Sequence, residues 1–164
     1  MKIGIVSDTH GNLRTTIQAV TLLEQQHVSA VLHCGDIVSA GIIPLFSGWP
    51  AHFVFGNCDA DTADLRLAIA EAGQFCHGQF GEIDLDGKRI ALLHGDDSKR
   101  FQETIFSEKY DLVCYGHTHQ MESHREGRTL VLNPGALHRA NPHSFAVVDL
   151  ATMGVTFVPL QAGE

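Results

Sequence analysis

The chain has 164 residues, 44% of them hydrophobic and 18% charged, which is apolar material for the core of one globular domain over 1–164 and gives no sign of a second. A formal net charge of -8 argues against the broad Lys/Arg face that duplex nucleic acid requires, while a small anionic substrate stays compatible if bound metal supplies the positive charge. The opening Met1-Lys2-Ile3-Gly4-Ile5-Val6 meets Ser7-Asp8 too soon for a signal-peptide core or a membrane span, so cytoplasmic residence without a membrane partner is expected.

Ile3 to Val6 reads as a first buried strand, followed at once by Asp8-Thr9-His10. Leu13, Ile17, Val20 and Leu23 then recur at helical spacing, a helix for which Asp8 could act as N-cap. Ala30 to Leu32 leads into Gly35-Asp36, and Phe53 to Phe55 into Gly56-Asn57, where Asn57 could be only a turn residue before Asp59. Leu65 and Ile69 mark a second helix, and Asp86-Gly87 turns a hairpin between Ile83-Asp84-Leu85 and Lys88-Arg89-Ile90. Ile90 to Leu93 runs into His94, after which Asp97 or Ser98 caps a third helix carrying Phe101 and Ile105. Leu112 to Tyr115 ends at Gly116-His117-Thr118-His119, and Glu126-Gly127 repeats the hairpin signal before Arg128-Thr129-Leu130. Leu130 to Leu132 and Phe145 to Val148 complete an α/β chain whose later half is mostly strand and partly antiparallel.

Five of these strands deliver a polar residue at their carboxyl ends, where an open α/β sheet leaves a crevice for ligands. Asp8, His10, Asp36, Asn57, His94, His117 and His119 together offer oxygen and imidazole nitrogen in the number that two divalent cations with a shared carboxylate need. The reading is a dinuclear metal hydrolase. Two divalent ions against Asp8 and Asp36 leave a net positive pocket, able to hold phosphate oxygens and to bring the pKa of bound water towards ~7. Attack on phosphorus by hydroxide held between the two ions is then expected, with no covalent intermediate. Without thiolate ligands, manganese is the first choice and iron, cobalt, nickel or catalytic zinc are alternatives. Cys34, Cys58, Cys76 and Cys114 fall singly, as reduced thiols.

The ordered set resembles the calcineurin-like metallophosphoesterase superfamily, with its D-x-H, G-D, G-N, H and G-H-x-H motifs, and most of all its YfcE-like phosphodiesterases. It is also similar to the metallophosphoesterase-like scaffold subunit of retromer. The likeness runs from Asp8 through Asn133-Pro134-Gly135. It implies a four-layer α/β/β/α sandwich in which Asp8, His10 and His119 hold one metal, Asn57, His94 and His117 the other, and Asp36 bridges. Asp36, Asn57 and His117 are the residues it places nearest the chemistry. The substrate it implies is a small nucleotide-like or related phosphate ester, with a phosphomonoesterase and a weakly catalytic scaffold as alternatives.

Three positions depart from the family pattern. Cys58 stands where relatives place a histidine that serves as proton donor, which favours diesters and good leaving groups. It reads more as a packed neighbour of the site than as an acid. His94-Gly95-Asp96-Asp97 brings two carboxylates near the metals, and Ala136 removes a hydroxyl from the usual Asn-Pro-Gly-Ser. Outside the motifs, His27, His33, His52, His77, His124 and His143 read as ordinary histidines, whereas His138 and Arg139 are candidates to touch substrate, as Cys58 is. Homo-oligomerisation is left open.

Overall fold

The structure, a computed structural model, describes residues 1–162. In chain order the strands are β1 Lys2–Val6, β2 Ala30–His33, β3 Ala51–Phe53, β4 Phe75–Cys76, β5 Phe80–Leu85, β6 Lys88–Leu93, β7 Leu112–Cys114, β8 Met121–Glu126, β9 Thr129–Pro134, β10 Ser144–Asp149 and β11 Gly154–Pro159. The α-helices are α1 Leu13–Gln25, α2 Thr62–Glu71 and α3 Ser98–Phe106, and a 3-10 helix spans Ala40–Phe46.

The strands form two sheets, ordered β11-β10-β1-β2-β3-β4 and β5-β6-β7-β9-β8. β1 to β4 are mutually parallel in the first, and β6, β7 and β9 in the second, with the remaining pairs antiparallel. Alternation along β1 sorts the core into layers. Ile3 and Ile5 face the second sheet among Leu92, Leu112, Leu132 and Val148, while Val6 faces the helical layer with Ala19, Leu23 and Phe46. On the outer face of the second sheet, Ala91, Leu93, Val113 and Val131 pack against Ile105 of α3. The result is the expected α/β/β/α sandwich.

Several local expectations shift. Asn12, not Asp8, caps α1, its side chain accepting from the Thr15 amide at 3.2 Å. The buried face of α1 is Thr15, Thr16, Ala19 and Leu23, and Leu13 and Ile17 are half exposed. The rotation has a polar cause: the Thr16 hydroxyl donates to the Asn12 carbonyl at 2.7 Å, so two threonines enter the core with their hydroxyls satisfied. β3 lies two residues earlier than expected, because the Phe55 amide turns away to the Gly78 carbonyl at 2.7 Å. β4, β11 and the 3-10 helix were not anticipated.

Candidate metal centre

Parallel pairing brings the carboxyl ends of β1, β2 and β3 to one edge of the first sheet, and those of β6 and β7 to the matching edge of the second. Backbone hydrogen bonds tie the loops that leave them: Asp8 amide to Gly35 carbonyl at 3.0 Å, His10 amide to Asp36 carbonyl at 3.0 Å, and Gly116 amide to His94 carbonyl at 2.9 Å. Asp8, His10, Asp36, His117 and His119 all take positive φ, between 44° and 70°. Asp and His tolerate this region better than most residues, yet each still stores of order 1–3 kcal/mol. Such strain concentrated in the candidate ligands is the mark of a site imposed on its backbone. Two glycines are required by contact: a Cβ on Gly56 would lie 2.2 Å from Asp36 Oδ1, and one on Gly116 would lie 1.9 Å from Ser7 Oγ.

The side chains converge in the same order. His119 Nε2 is 3.1 Å from Asp8 Oδ1, and His10 Nε2 lies between Asp8 Oδ1 at 3.5 Å and Asp36 Oδ2 at 3.4 Å. His94 Nε2 sits 3.2 Å from Asp36 Oδ2 and 4.0 Å from Asp8 Oδ1. Two of these rings are locked in the same way. His94 Nδ1 donates to the Cys34 carbonyl at 2.8 Å and His119 Nδ1 to the Arg139 carbonyl at 3.2 Å. In each neutral ring, Nε2 is then a lone pair aimed at a carboxylate oxygen, two acceptors face to face. Asp8 is prepared likewise, because its Oδ2 accepts from the Ser7 hydroxyl at 2.6 Å and the His117 amide at 3.1 Å, leaving Oδ1 free.

Asp8 Oδ1, His10 Nε2 and His94 Nε2 are buried without any hydrogen-bond partner among the described residues. An orphaned buried polar atom costs ~1–3 kcal/mol, and a divalent cation among them would satisfy all three. The set is hard oxygen and imidazole nitrogen held by outer hydrogen bonds, which suits such a cation. Asp8-His10-His119 and Asp8-Asp36-His94 are each gathered tightly enough to hold an ion. Without one, a proton fills the gap: burial disfavours the His94 imidazolium, but the hydrogen bond that a protonated Nε2 would give Asp36, with the Asp36 charge, outweighs it and raises His94 to about 8. Burial works against ionised Asp36 too, yet His94 and the Cys58 amide, which donates to Asp36 Oδ1 at 2.9 Å, hold it at about 2.

The other candidates border this cluster. His117 is exposed, its ring edge-on to His94 with centroids 5.2 Å apart. Asn57 is exposed, and among the described residues its amide's one hydrogen bond is to Cys58 Sγ at 3.7 Å. Cys58 is exposed and not a packed neighbour; its Sγ approaches His10 and Asp36, and desolvation followed by the Asp36 charge pushes the thiol up, so it stays protonated at neutral pH. His138 packs on His10 with ring centroids 5.4 Å apart, and Arg139 is exposed at the rim. Of the two extra carboxylates, Asp97 caps α3 by accepting from the Arg100 amide at 3.0 Å, and Asp96 is exposed beside His94.

Four positioning residues went unread in the sequence. His33, fully buried, accepts from the Gly35 amide at 3.1 Å and meets Thr9 Oγ1 at 3.1 Å; burial, helped by His94, depresses it to about 3, so it remains neutral. Its place two residues before Gly35 was the available signal. The Asp59 carboxylate accepts from the Val38 amide at 2.7 Å and the Gly56 amide at 2.8 Å, joining two ligand loops. Asn133 donates to the Gly116 carbonyl at 2.9 Å and to Thr118 Oγ1 at 3.0 Å, clamping the Gly116–His119 turn. Ser7 supplies the hydroxyl on Asp8.

Two facing sheets with helices outside and an oxygen-nitrogen cluster at the strand ends define the class, a metallophosphoesterase-type sandwich. The calcineurin-like phosphoesterase superfamily domain matches residues 1–153, and the chain belongs to that family. It is 33% identical over 138 residues to phosphodiesterase MJ0936 of Methanocaldococcus jannaschii, covering 82% of this chain and 83% of that one. It is 25% identical over 175 residues to phosphodiesterase YfcE of Escherichia coli K12, covering 94% and 91%. The solved structure of an archaeal phosphodiesterase superposes with a TM-score of 0.90 at 28% identity, covering 98% of this chain and all of that one. Vps29 of Entamoeba histolytica, at 18% identity and a TM-score of 0.68 over 98% of this chain and 100% of its own, shares the fold. Among the described residues, no helix is long and apolar enough to cross a membrane.

Proposed function

We propose that this single-domain chain is a cytoplasmic, dinuclear metal-dependent phosphodiesterase acting on a small nucleotide-like phosphate ester, with manganese as its metal. The observation that carries the reading is the convergence of three buried, unpartnered polar atoms, Asp8 Oδ1, His10 Nε2 and His94 Nε2. Asp8, His10 and His119 would hold one ion, Asn57, His94 and His117 the other, with Asp36 between them. Bound divalent ions supply Lewis-acid charge for phosphoryl oxygens and a water of lowered pKa. The chain itself orients that chemistry. The Cys34 and Arg139 carbonyls fix the His94 and His119 tautomers, and Ser7 with the His117 amide turns Asp8 Oδ1 inward. Exposed His117 and Asn57 are open to a substrate phosphate, and His138 and exposed Arg139 border the cluster beside His10 and His119. Cys58 offers a protonated thiol where a stronger acid would assist alkyl leaving groups, so diesters with good leaving groups are favoured over monoesters. The four free cysteines accord with a reducing compartment.

The test has two arms. Manganese-loaded protein should approach two ions per chain, with Asp36→Asn losing both more readily than His10→Ala. Paired diester and monoester substrates sharing one nitrophenyl leaving group should then show faster diester turnover. A stoichiometry that never exceeds one ion at saturation would overturn the dinuclear reading, and faster monoester turnover would overturn the substrate class.

A further inference from the structure

A cavity of about 230 Å³ opens directly beside the candidate second-metal ligands Asn57 and His94. The loop before β5 brings Gln79 to its wall, the turn after His94 brings Asp96, and α3 brings Arg100. No described side chain engages the Gln79 amide, the Asp96 carboxylate or the Arg100 guanidinium in a hydrogen bond or ion pair. The Arg100 guanidinium is held over the Phe80 ring, 5.3 Å from its centroid. We propose that this cavity is the binding site for a neutral nucleoside arm of the phosphate ester, its base lying on the Arg100 guanidinium that Phe80 backs and its donors and acceptors read by Asp96 and Gln79.

Charge, chemistry and size favour this occupant. Asp96 and the capping Asp97 offset the one arginine, so the cavity has no surplus positive charge for a second phosphate. A guanidinium seated on an aromatic ring is a stacking surface for a planar heterocycle, a mode that serves every base. Unengaged donors and acceptors side by side match the edge of a base better than an alkyl chain. The volume lies below the ~300 Å³ at which pockets for drug-sized ligands begin, room for one nucleoside and not for an extended polymer.

The inference rests on the phosphodiesterase reading, and the experiment separates the two. Manganese-loaded enzyme is assayed on the p-nitrophenyl ester of thymidine 5′-phosphate and on methyl p-nitrophenyl phosphate, which share a leaving group. Wild type should prefer the nucleoside ester in kcat/KM. Arg100→Ala should lose roughly tenfold on it, the low end of a base-stacking contact, mainly through KM. The methyl ester should change less than about twofold. Arg100→Lys, which keeps the charge but not the plane, should resemble Arg100→Ala. Thymidine, the uncharged arm alone, titrated into metal-free protein should shift the amide resonances of Gln79 and Asp96. Hydrolysis of neither ester would refute the function itself. Equal turnover of both esters, full rescue by Arg100→Lys, or unmoved Gln79 and Asp96 resonances would refute the nucleoside site while leaving the function standing.

Discussion

Replacing Gly116 by alanine tests whether the metal loops are held by contact. The added Cβ would lie 1.9 Å from Ser7 Oγ, 2.6 Å from Asp8 Oδ2 and 3.0 Å from Ser7 Cβ. Ser7 and Asp8 are fully buried at the end of β1 and cannot swing aside. The turn must therefore retreat, which removes the His117 amide from Asp8 Oδ2 and disturbs the Ser7 hydrogen bond. Overpacking costs ~1–3 kcal/mol, and a hydrogen bond to a charged acceptor ~1.5–3 kcal/mol. Together the loss is about 2.5–6 kcal/mol, a large part of the ~5–15 kcal/mol that stabilises a typical domain. Urea melts of metal-free protein would measure it, and calorimetric titration with manganese should show weaker binding as Asp8 Oδ1 turns away. Gly48→Ala is the control, since nothing lies within 4 Å of its added Cβ, and should stay within ~0.5 kcal/mol of wild type. If Gly116→Ala matched that control in both stability and metal affinity, the close approach would be of no consequence.

His117→Ala should lower turnover by far more than it lowers stability, because the side chain is exposed; equal losses in kcat and in urea stability would mark a structural histidine. Cys58→Ser should leave diester turnover and both ions in place, and Cys58→His should raise activity on alkyl esters by roughly 10²-fold at best; collapse of the serine variant with its metals retained would make the thiol a participant. For His33 the folded pKa of about 3 lies below the ordinary 6.5. The unfolded chain therefore takes the proton first, and the stability His33 contributes is complete above 6.5 and declines as pH falls towards 3. One such group gives a slope of ~1.4 kcal/mol per pH unit. Urea melts of chelated protein between about pH 6.5 and 5 should show a flatter limb for His33→Gln, and parallel limbs would contradict the assignment.

Strand-end placement was what the sequence conveyed best. Short apolar runs followed by Asp8, Asp36, Asn57, His94 and His117 located the crevice, because parallel strands put their carboxyl ends on one edge. Boundaries and faces were less legible. α1 buries threonines in place of Leu13 and Ile17 because the distant Leu137 carbonyl accepts from Thr15 and the Asn12 carbonyl from Thr16, and a hydrophobic period does not record those partners. β11 carried the alternating Val155 and Phe157 of a half-buried strand, a signal present but short, whereas the two-residue β4 and the 3-10 helix have no period to detect. His33, Asp59 and Asn133 escaped for a related reason: each ties its own segment to a group distant in sequence, the Thr9 hydroxyl, the Val38 amide and the Gly116 carbonyl.

The candidate ligands come from both halves of the sandwich. Asp8, His10, Asp36 and Asn57 follow strands of the first sheet, and His94, His117 and His119 follow strands of the second. Between the sheets the core is mainly aliphatic, contacts without direction that tolerate small sliding, and an exposed ion pair from the Met1 ammonium to Asp86 lies outside it. At this one end a cation would act as a rivet, fixing the register of one sheet against the other to within a coordination bond. Filling the site would therefore stiffen the seam between the sheets and leave the outer helical layers as they were, and any ligand that rewards the aligned seam would be felt as tighter metal binding in return.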